Sequence, residues 1–339
     1  MEQHIISGID ELRFRIEKLS AGSVFVLVDE HTREYCLPLL EGVTDPVENV
    51  YILEIQSGEA QKTIYSCEKI WTELSEKGAD RKSLLINLGG GVICDIGGFA
   101  GSTFKRGMRY INIPTTLLAM ADAAIGGKCG VDLAGLKNEV GLFGKPEFIF
   151  IHSDFLKTLP DRELLSGFAE VVKIALTSSA GFWKKLINLN PTEITGWKSI
   201  IDEAVNLKQS ITDLDPFESG PRKLLNFGHT IGHAVESQFL SEGKLILHGE
   251  AIAFGLIAEA RLSTLYSGLS DTEYAAIENY VKLTFNIPEI LPEQVSGILD
   301  FMKHDKKNVN GQMNFTLLKQ IGEGCWDIKV REEELFQII

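Results

Sequence analysis

Basic residues are the first shortage in this chain of 339 residues: 33 Lys and Arg stand against 47 Asp and Glu, for a formal net charge of −14. An excess of that sign repels a polyanion unless cations are locally concentrated, so no nucleic-acid partner is expected. Long apolar runs are missing as well. No stretch approaches the ~18 apolar residues of a membrane helix, and the opening MEQHIISGIDELRF lacks a basic segment followed by an apolar run, so a cytoplasmic chain with no membrane partner is expected. Cysteine is sparse: Cys36, Cys67, Cys94, Cys129 and Cys325 are scattered, odd in number and free of CxxC spacing. That argues against both a disulfide framework and a thiolate zinc site.

What is present is ample apolar material, 44% of residues, in a chain longer than the ~250–300 residues at which single cores stop growing. Two domains are therefore expected. Through about residue 150, short runs rich in β-branched residues recur at Val24–Val28, Tyr51–Ile55, Leu84–Leu88, Tyr110–Ile113 and Phe148–Ile151. They alternate with helical stretches such as Gln61–Lys77, a pattern that predicts a mainly parallel sheet. From about Asp161 the periodicity becomes helical: Arg162–Thr177, Trp197–Thr212, His229–Leu240, Gly249–Ser267 and Thr272–Thr284. The passages Met313–Leu318 and Trp326–Val330 suggest a hairpin near the C-terminus. The expected architecture is an α/β, Rossmann-like domain over 1–158 and an all-α domain over 159–339.

Leu84–Leu88 runs into Gly89, Gly90 and Gly91, after which Val92, Ile93, Cys94 and Asp95 open a helical stretch. Glycines admit a pyrophosphate close to the backbone, and the free amides of a following helix donate to it. The spacing is not GxGxxG, and a triplet alone also fits a tight turn. The sequel of Gly97-Gly98, Arg106-Gly107 and Ile113-Pro114-Thr115-Thr116 strengthens the dinucleotide reading. Asp29 ends the first strand, where a carboxylate can meet ribose hydroxyls or simply cap a helix. Gly58-Glu59-Ala60-Gln61-Lys62 follows the second strand.

His229 and His233 lie four residues apart with Glu236 three further on, so one helical face carries all three. Gly228 and Gly232 beside them cost about 1 kcal/mol each in a helix, which implies a close approach to that backbone. His248-Gly249-Glu250 opens another helical stretch, and Glu170 with Lys173 interrupts an otherwise apolar one. Two imidazoles and a carboxylate suit zinc with an open coordination position, with cobalt or manganese as substitutes. Despite the acidic total, Lys62, Arg106, Lys128, Lys137, Lys173, Lys208, Arg222, Lys306 and Lys307 concentrate in these segments, pointing to a multiply anionic small substrate.

The ordered segments GEAQK (58–62), GGGVICDIGGFAGSTFKRG (89–107), IPTTLLAMADAAIGGKCGVD (113–132), LKNEVGLF (136–143), GFAEVVK (167–173), GPRKLLNFGHTIGHAVE (220–236), HGEAIAFG (248–255) and DKK (305–307) resemble the 3-dehydroquinate synthases, members of the sugar phosphate cyclases. The resemblance implies that Glu170, His229 and His248 hold the metal and that His233 carries a proton, which revises the reading of the HxxxH pair as two ligands. It implies Glu218 as a general acid/base. Arg106, Asp122, Lys128, Lys137, Asn138, Lys173, Lys208, Arg222, Asn226, His233 and Lys306 would meet substrate. Of these Lys128, Lys173, Arg222 and Asn226 are also expected in catalysis. NAD would be met by Asp29, Glu59, Lys62, Gly90, Gly91, Val92, Asp95, Thr115, Thr116, Lys128, Lys137 and Thr158. The chain departs from the family pattern at His31, Met120, Ala123, Ala124, Cys129 and Leu133–Leu136.

The implied reaction converts 3-deoxy-D-arabino-heptulosonate 7-phosphate to 3-dehydroquinate and phosphate, in the shikimate route to aromatic amino acids. It passes through transient oxidation by NAD, phosphate elimination, reduction and intramolecular aldol closure. The implied cofactors are NAD and one divalent metal, Zn2+ or alternatively Co2+, with the site in the cleft between domains of a homodimeric enzyme. Competing readings are another sugar phosphate cyclase, a metal-dependent polyol dehydrogenase, which would accumulate NADH, and a non-catalytic NAD- or metal-binding regulator. Arg222 favours an acid substrate over a neutral one.

Overall fold

A computed structural model describes residues 4–133, 136–303 and 313–339. The chain divides into two compact units, Met1–Pro160 and Asp161–Ile339. Among the described residues no helix is long and apolar enough to cross a membrane.

The first unit runs β1 (Ile5–Ile6), α1 (Ile9–Leu19), β2 (Ser23–Val28), α2 (Glu30–Tyr35), β3 (Asn49–Glu54), α3 (Ile64–Glu76), β4 (Leu84–Gly89), α4 (Gly91–Thr103), β5 (Arg109–Pro114), β6 (Lys128–Leu133), β7 (Leu136–Phe143) and β8 (Ile149–Phe150). Six strands form one sheet in the order β1-β8-β5-β4-β2-β3, all paired in parallel. Each of the five apolar runs read from the sequence lies in it. The central β4 is buried at all six positions, which is why it reads as a continuous apolar run and not as an alternation. Phe25, Leu27, Leu53, Leu85, Ile70, Leu74, Ile96 and Phe99 build the core between this sheet and helices α3 and α4.

Gly97 and Gly98 serve this packing. A Cβ on Gly97 would stand 2.0 Å from Asn87 Oδ1, and one on Gly98 would stand 2.4 Å from Cys129 Sγ. They let α4 lie close on its neighbours. The antiparallel β6–β7 hairpin was not legible in the sequence.

The second unit runs α5 (Asp161–Ser178), α6 (Ala180–Leu186), α7 (Lys198–Leu214), α8 (His229–Ser241), α9 (His248–Tyr266), α10 (Asp271–Thr284), α11 (Pro292–Lys303), β9 (Asn314–Gln320), β10 (Glu323–Lys329) and α12 (Glu332–Ile338). It is helical but not purely so, because β9 and β10 pair antiparallel where the sequence suggests a hairpin. Ile231, Val235, Ala251, Leu262, Ile298, Met302, Phe315, Leu317 and Leu335 form its main core. Helix α5 is buried without a break from Ser166 to Thr177, so its two charges, Glu170 and Lys173, lie in the interior.

Candidate functional site

In the first unit, β4 delivers Gly90 and Gly91 to the start of α4, where Gly90 is the N-cap and no side chain caps the helix. An uncapped first turn of this kind can donate its amides to an anion. A Cβ on Gly90 would meet Thr116 Cγ2 at 3.1 Å, a tight contact that glycine avoids. Thr115 donates its backbone N–H to Gly89 at 3.0 Å, and Thr116 Oγ1 accepts from Ala119 at 3.2 Å, which ties the ends of β4 and β5 together. Val92 follows on α4, partly buried against the core. Beyond Thr116 the chain makes one π-helical turn, Ala119–Ala123, which carries Asp122. Such turns interrupt regular helices, frequently at functional sites.

Lys62 is the hub of this unit. Its ammonium lies 2.5 Å from Asp95 on α4 and donates at 2.5 Å to Asn138 on β7, while Lys137 lies 3.3 Å from Glu59. Burial disfavours the Lys62 charge, but Asp95 and Glu59 outweigh it and hold the ammonium firmly protonated. Asp132 completes the set: it donates its N–H to Lys62 O and accepts from Asn138 N, both at 2.8 Å. No motif or spacing around Asp132 signals that role. Asp29 caps α2, accepting from Thr32 N at 2.7 Å. Lys128 opens β6, and Thr158 closes a short helical turn whose hydroxyl donates to Phe155 O.

In the second unit, α5, α8 and α9 bring five expected residues together: Glu170, Lys173, His229, His233 and His248. Glu170 Oε1 stands 3.4 Å from His229 Nε2 and 3.4 Å from His248 Nε2. Two ligand atoms each about 2.0–2.1 Å from a tetrahedral zinc are about 3.3–3.4 Å apart, so the spacing fits one ion bound by all three. Both Glu170 oxygens are buried without a well-formed hydrogen bond, and Lys173 forms an ion pair with Oε2. An oxygen-and-imidazole set of this kind suits a borderline cation. Ligand nitrogens of His229, His233 and His248 also lie within 4.8 Å of one another, so the three imidazoles are a second possible set.

The outer contacts orient two of these rings. His229 Nδ1 faces Phe227 O at 3.2 Å, and His248 Nδ1 faces Glu236 Oε2 at 3.2 Å. Each contact calls for the proton on Nδ1 and leaves Nε2 able to bind a metal. Burial alone would raise the Glu170 carboxyl, but Lys173 and His248 beside it bring it down to about 2. Burial likewise opposes a charged His248, yet Glu236 and Glu170 raise it to about 9.

A second group surrounds the loop after α7. Asn226 Nδ2 donates to Glu218 Oε1 at 2.6 Å, and Arg222 donates to Pro216 O at 2.7 Å. Asp215 organises this loop by accepting backbone N–H groups of Ser219, Gly220 and Arg222. Lys208, Lys173 and Arg222 are all buried, which is rare for cations without a partner or ligand. Arg106, Asn138 and Glu218 account for three of the six non-glycine residues with positive φ among those described, at 64°, 53° and 60°. Strain of that kind collects at functional positions. Lys306, with Lys307, lies outside the described residues.

Comparison with known proteins closes the question of family. The profile for the N-terminal part of 3-dehydroquinate synthase matches residues 52–166, and that for the C-terminal part matches 167–308. The chain belongs to the 3-dehydroquinate synthase family. A synthase of this name from Parabacteroides distasonis is 43% identical over 334 residues, covering 96% of this chain and 93% of that one. One from Pyrococcus abyssi is 41% identical, covering 100% and 99%. Among solved structures, 2-deoxy-scyllo-inosose synthase complexed with carbaglucose-6-phosphate, NAD+ and Co2+ superposes with a TM-score of 0.86 at 24% identity, covering 99% and 95%. The 2-epi-5-epi-valiolone synthase from Streptomyces hygroscopicus, with NAD+ and Zn2+ bound, gives 0.85 at 25%, covering 100% and 96%. The departures at Met120, Ala124 and Cys129 fall on buried positions.

Proposed function

We propose that this chain is a 3-dehydroquinate synthase, a carbon–oxygen lyase converting 3-deoxy-D-arabino-heptulosonate 7-phosphate to 3-dehydroquinate and phosphate with NAD and one divalent metal, Zn2+ or Co2+. The observation that carries the reading is Glu170 Oε1 at 3.4 Å from both His229 and His248, in a chain whose curated relatives are synthases of this name. Glu170, His229 and His248 would hold the ion, which when bound supplies Lewis acidity to neighbouring substrate oxygens. The Gly90–Gly91 turn, Thr115, Thr116, Asp29, Glu59, Lys62, Asp95 and Thr158 would hold NAD, which when bound takes up and returns one hydride within each turnover.

The chain's own groups then do the binding and proton transfer. Lys173, Lys208, Arg222 and Asn226 neutralise and orient the acid sugar phosphate, and Asp122, Arg106, Lys128, Lys137, Asn138 and Lys306 complete its recognition. His233 moves the proton of the hydroxyl being oxidised. Glu218, which accepts from Asn226, would serve as the general acid/base. The enzyme acts as a cytoplasmic homodimer.

The test is phosphate release coupled to dehydroquinate detection with NAD and Zn2+, the acid sugar phosphate and a neutral one run side by side. Release from the acid substrate with no net change in nicotinamide absorbance is expected. Release from the neutral substrate alone would point to another sugar phosphate cyclase, accumulation of NADH to a polyol dehydrogenase, and no release to a binding protein.

A further inference from the structure

Helix α8 begins without any cap of its own. Its N-cap residue, Gly228, has φ +80°, and a Cβ there would stand 2.8 Å from Leu256 Cδ2, so a Ser, Thr or Asp cap is sterically refused. The missing acceptor comes from α9. Glu259 Oε2 accepts the Gly228 N–H at 2.6 Å and Oε1 accepts the Ile231 N–H at 3.0 Å. These are the N-cap and N3 donors that a capping box would satisfy with two local side chains. His229 sits between them. Glu259 is 11 residues beyond His248, about three helical turns, and so lies on the same face of α9. It is fully buried.

We propose that Glu259 is a positioning residue of the metal centre. One carboxylate fixes the backbone that carries His229 to the helix that carries His248, and so sets the separation of the two imidazoles that share Glu170. The proposal rests on the metal set given above. Nothing in it requires Glu259 to touch the ion or the substrate.

The test is the Glu259→Gln variant of the full chain, which keeps the side-chain shape but turns an amide NH2 toward one of the two backbone donors. Zn2+ affinity is measured by chelator competition, Co2+ coordination by its visible absorption bands, and folding by thermal melting in the presence of chelator. Loss of an outer contact of this kind typically weakens metal binding about 10–100-fold. The expected result is a fall in Zn2+ affinity of about tenfold or more with altered Co2+ bands. Unchanged affinity and unchanged bands, with only a lower melting temperature, would make Glu259 a structural cap and overturn the proposal. A variant that does not fold in chelator but recovers wild-type Co2+ bands on metal addition would overturn it equally. If the wild-type chain binds neither ion, this inference and the metal assignment fall together, while dehydroquinate formation still reports on the reaction separately.

Discussion

Lys173 follows Glu170 by one turn of α5, and the two form an ion pair with 1% and 0% of their side chains exposed. Removing one partner of such a pair costs about 3–5 kcal/mol, because the remaining charge stays in the interior. Lys173→Met should lose that much stability in urea titrations run with chelator. Added Zn2+ should recover part of the loss by supplying Glu170 with a new cation. Equal losses with and without Zn2+ would contradict a metal site at Glu170.

Lys62 plays the corresponding part in the first unit, where it joins Asp95 on α4 to Asn138 on β7. Lys62→Met should weaken NAD binding at least about tenfold, because the hairpin and the start of α4 lose their shared partner; a buried pair broken on one side costs enough for that. Calorimetric titration of the metal-loaded chain with NAD measures it. Unaltered NAD affinity would detach this network from the cofactor.

The approach of α8 to α9 is made by glycine. A Cβ on Gly255 would stand 1.9 Å from Gly228 O, which is backbone and cannot rotate away. Gly255→Ala should therefore cost more than about 3 kcal/mol or prevent folding. Gly22→Ala, with nothing within 4 Å of the new methyl, should be neutral or stabilising by up to about 1 kcal/mol. Denaturant midpoints of the two variants provide the comparison.

Asp215 gives a dependence on acid. Burial pushes its carboxyl up, but the N–H groups of Gly220, Ser219 and Arg222 and the Ser219 hydroxyl overcome this and hold it below the usual carboxylate range. A depressed folded value means that the contribution is complete above the unfolded value of about 3.9 and disappears as pH falls through the folded one. Asp215→Asn should thus be less stable than wild type by about 1.5–3 kcal/mol at neutral pH. The difference should shrink below about pH 4. A difference that stays constant down to pH 2 would exclude the carboxylate as its source.

The parallel sheet was legible because buried strands leave continuous β-branched runs such as Leu84–Leu88. The β6–β7 hairpin was not, since Lys128–Phe143 mixes charges and glycines without alternation and is anchored by tertiary bonds such as Asp132 N–H to Lys62 O. The histidine cluster announced itself by its spacing of four and by charges in an apolar helix. Gly228 and Gly232 were rightly read as marking a close approach. What approaches is α9: a Cβ on Gly232 would stand 3.0 Å from Ala251 O. Glu259 gave no such signal, because a carboxylate that caps a helix other than its own leaves no local pattern.

The glycine seam also has a mechanical meaning. Where Gly255 faces Gly228 O, the two helices approach through backbone atoms, and no rotatable side chain lies at that contact to absorb a displacement. A pull on His229 is therefore transmitted to α9 and so to His248. The two imidazoles should yield to a bound ion as one stiff strut, and not as two independent springs.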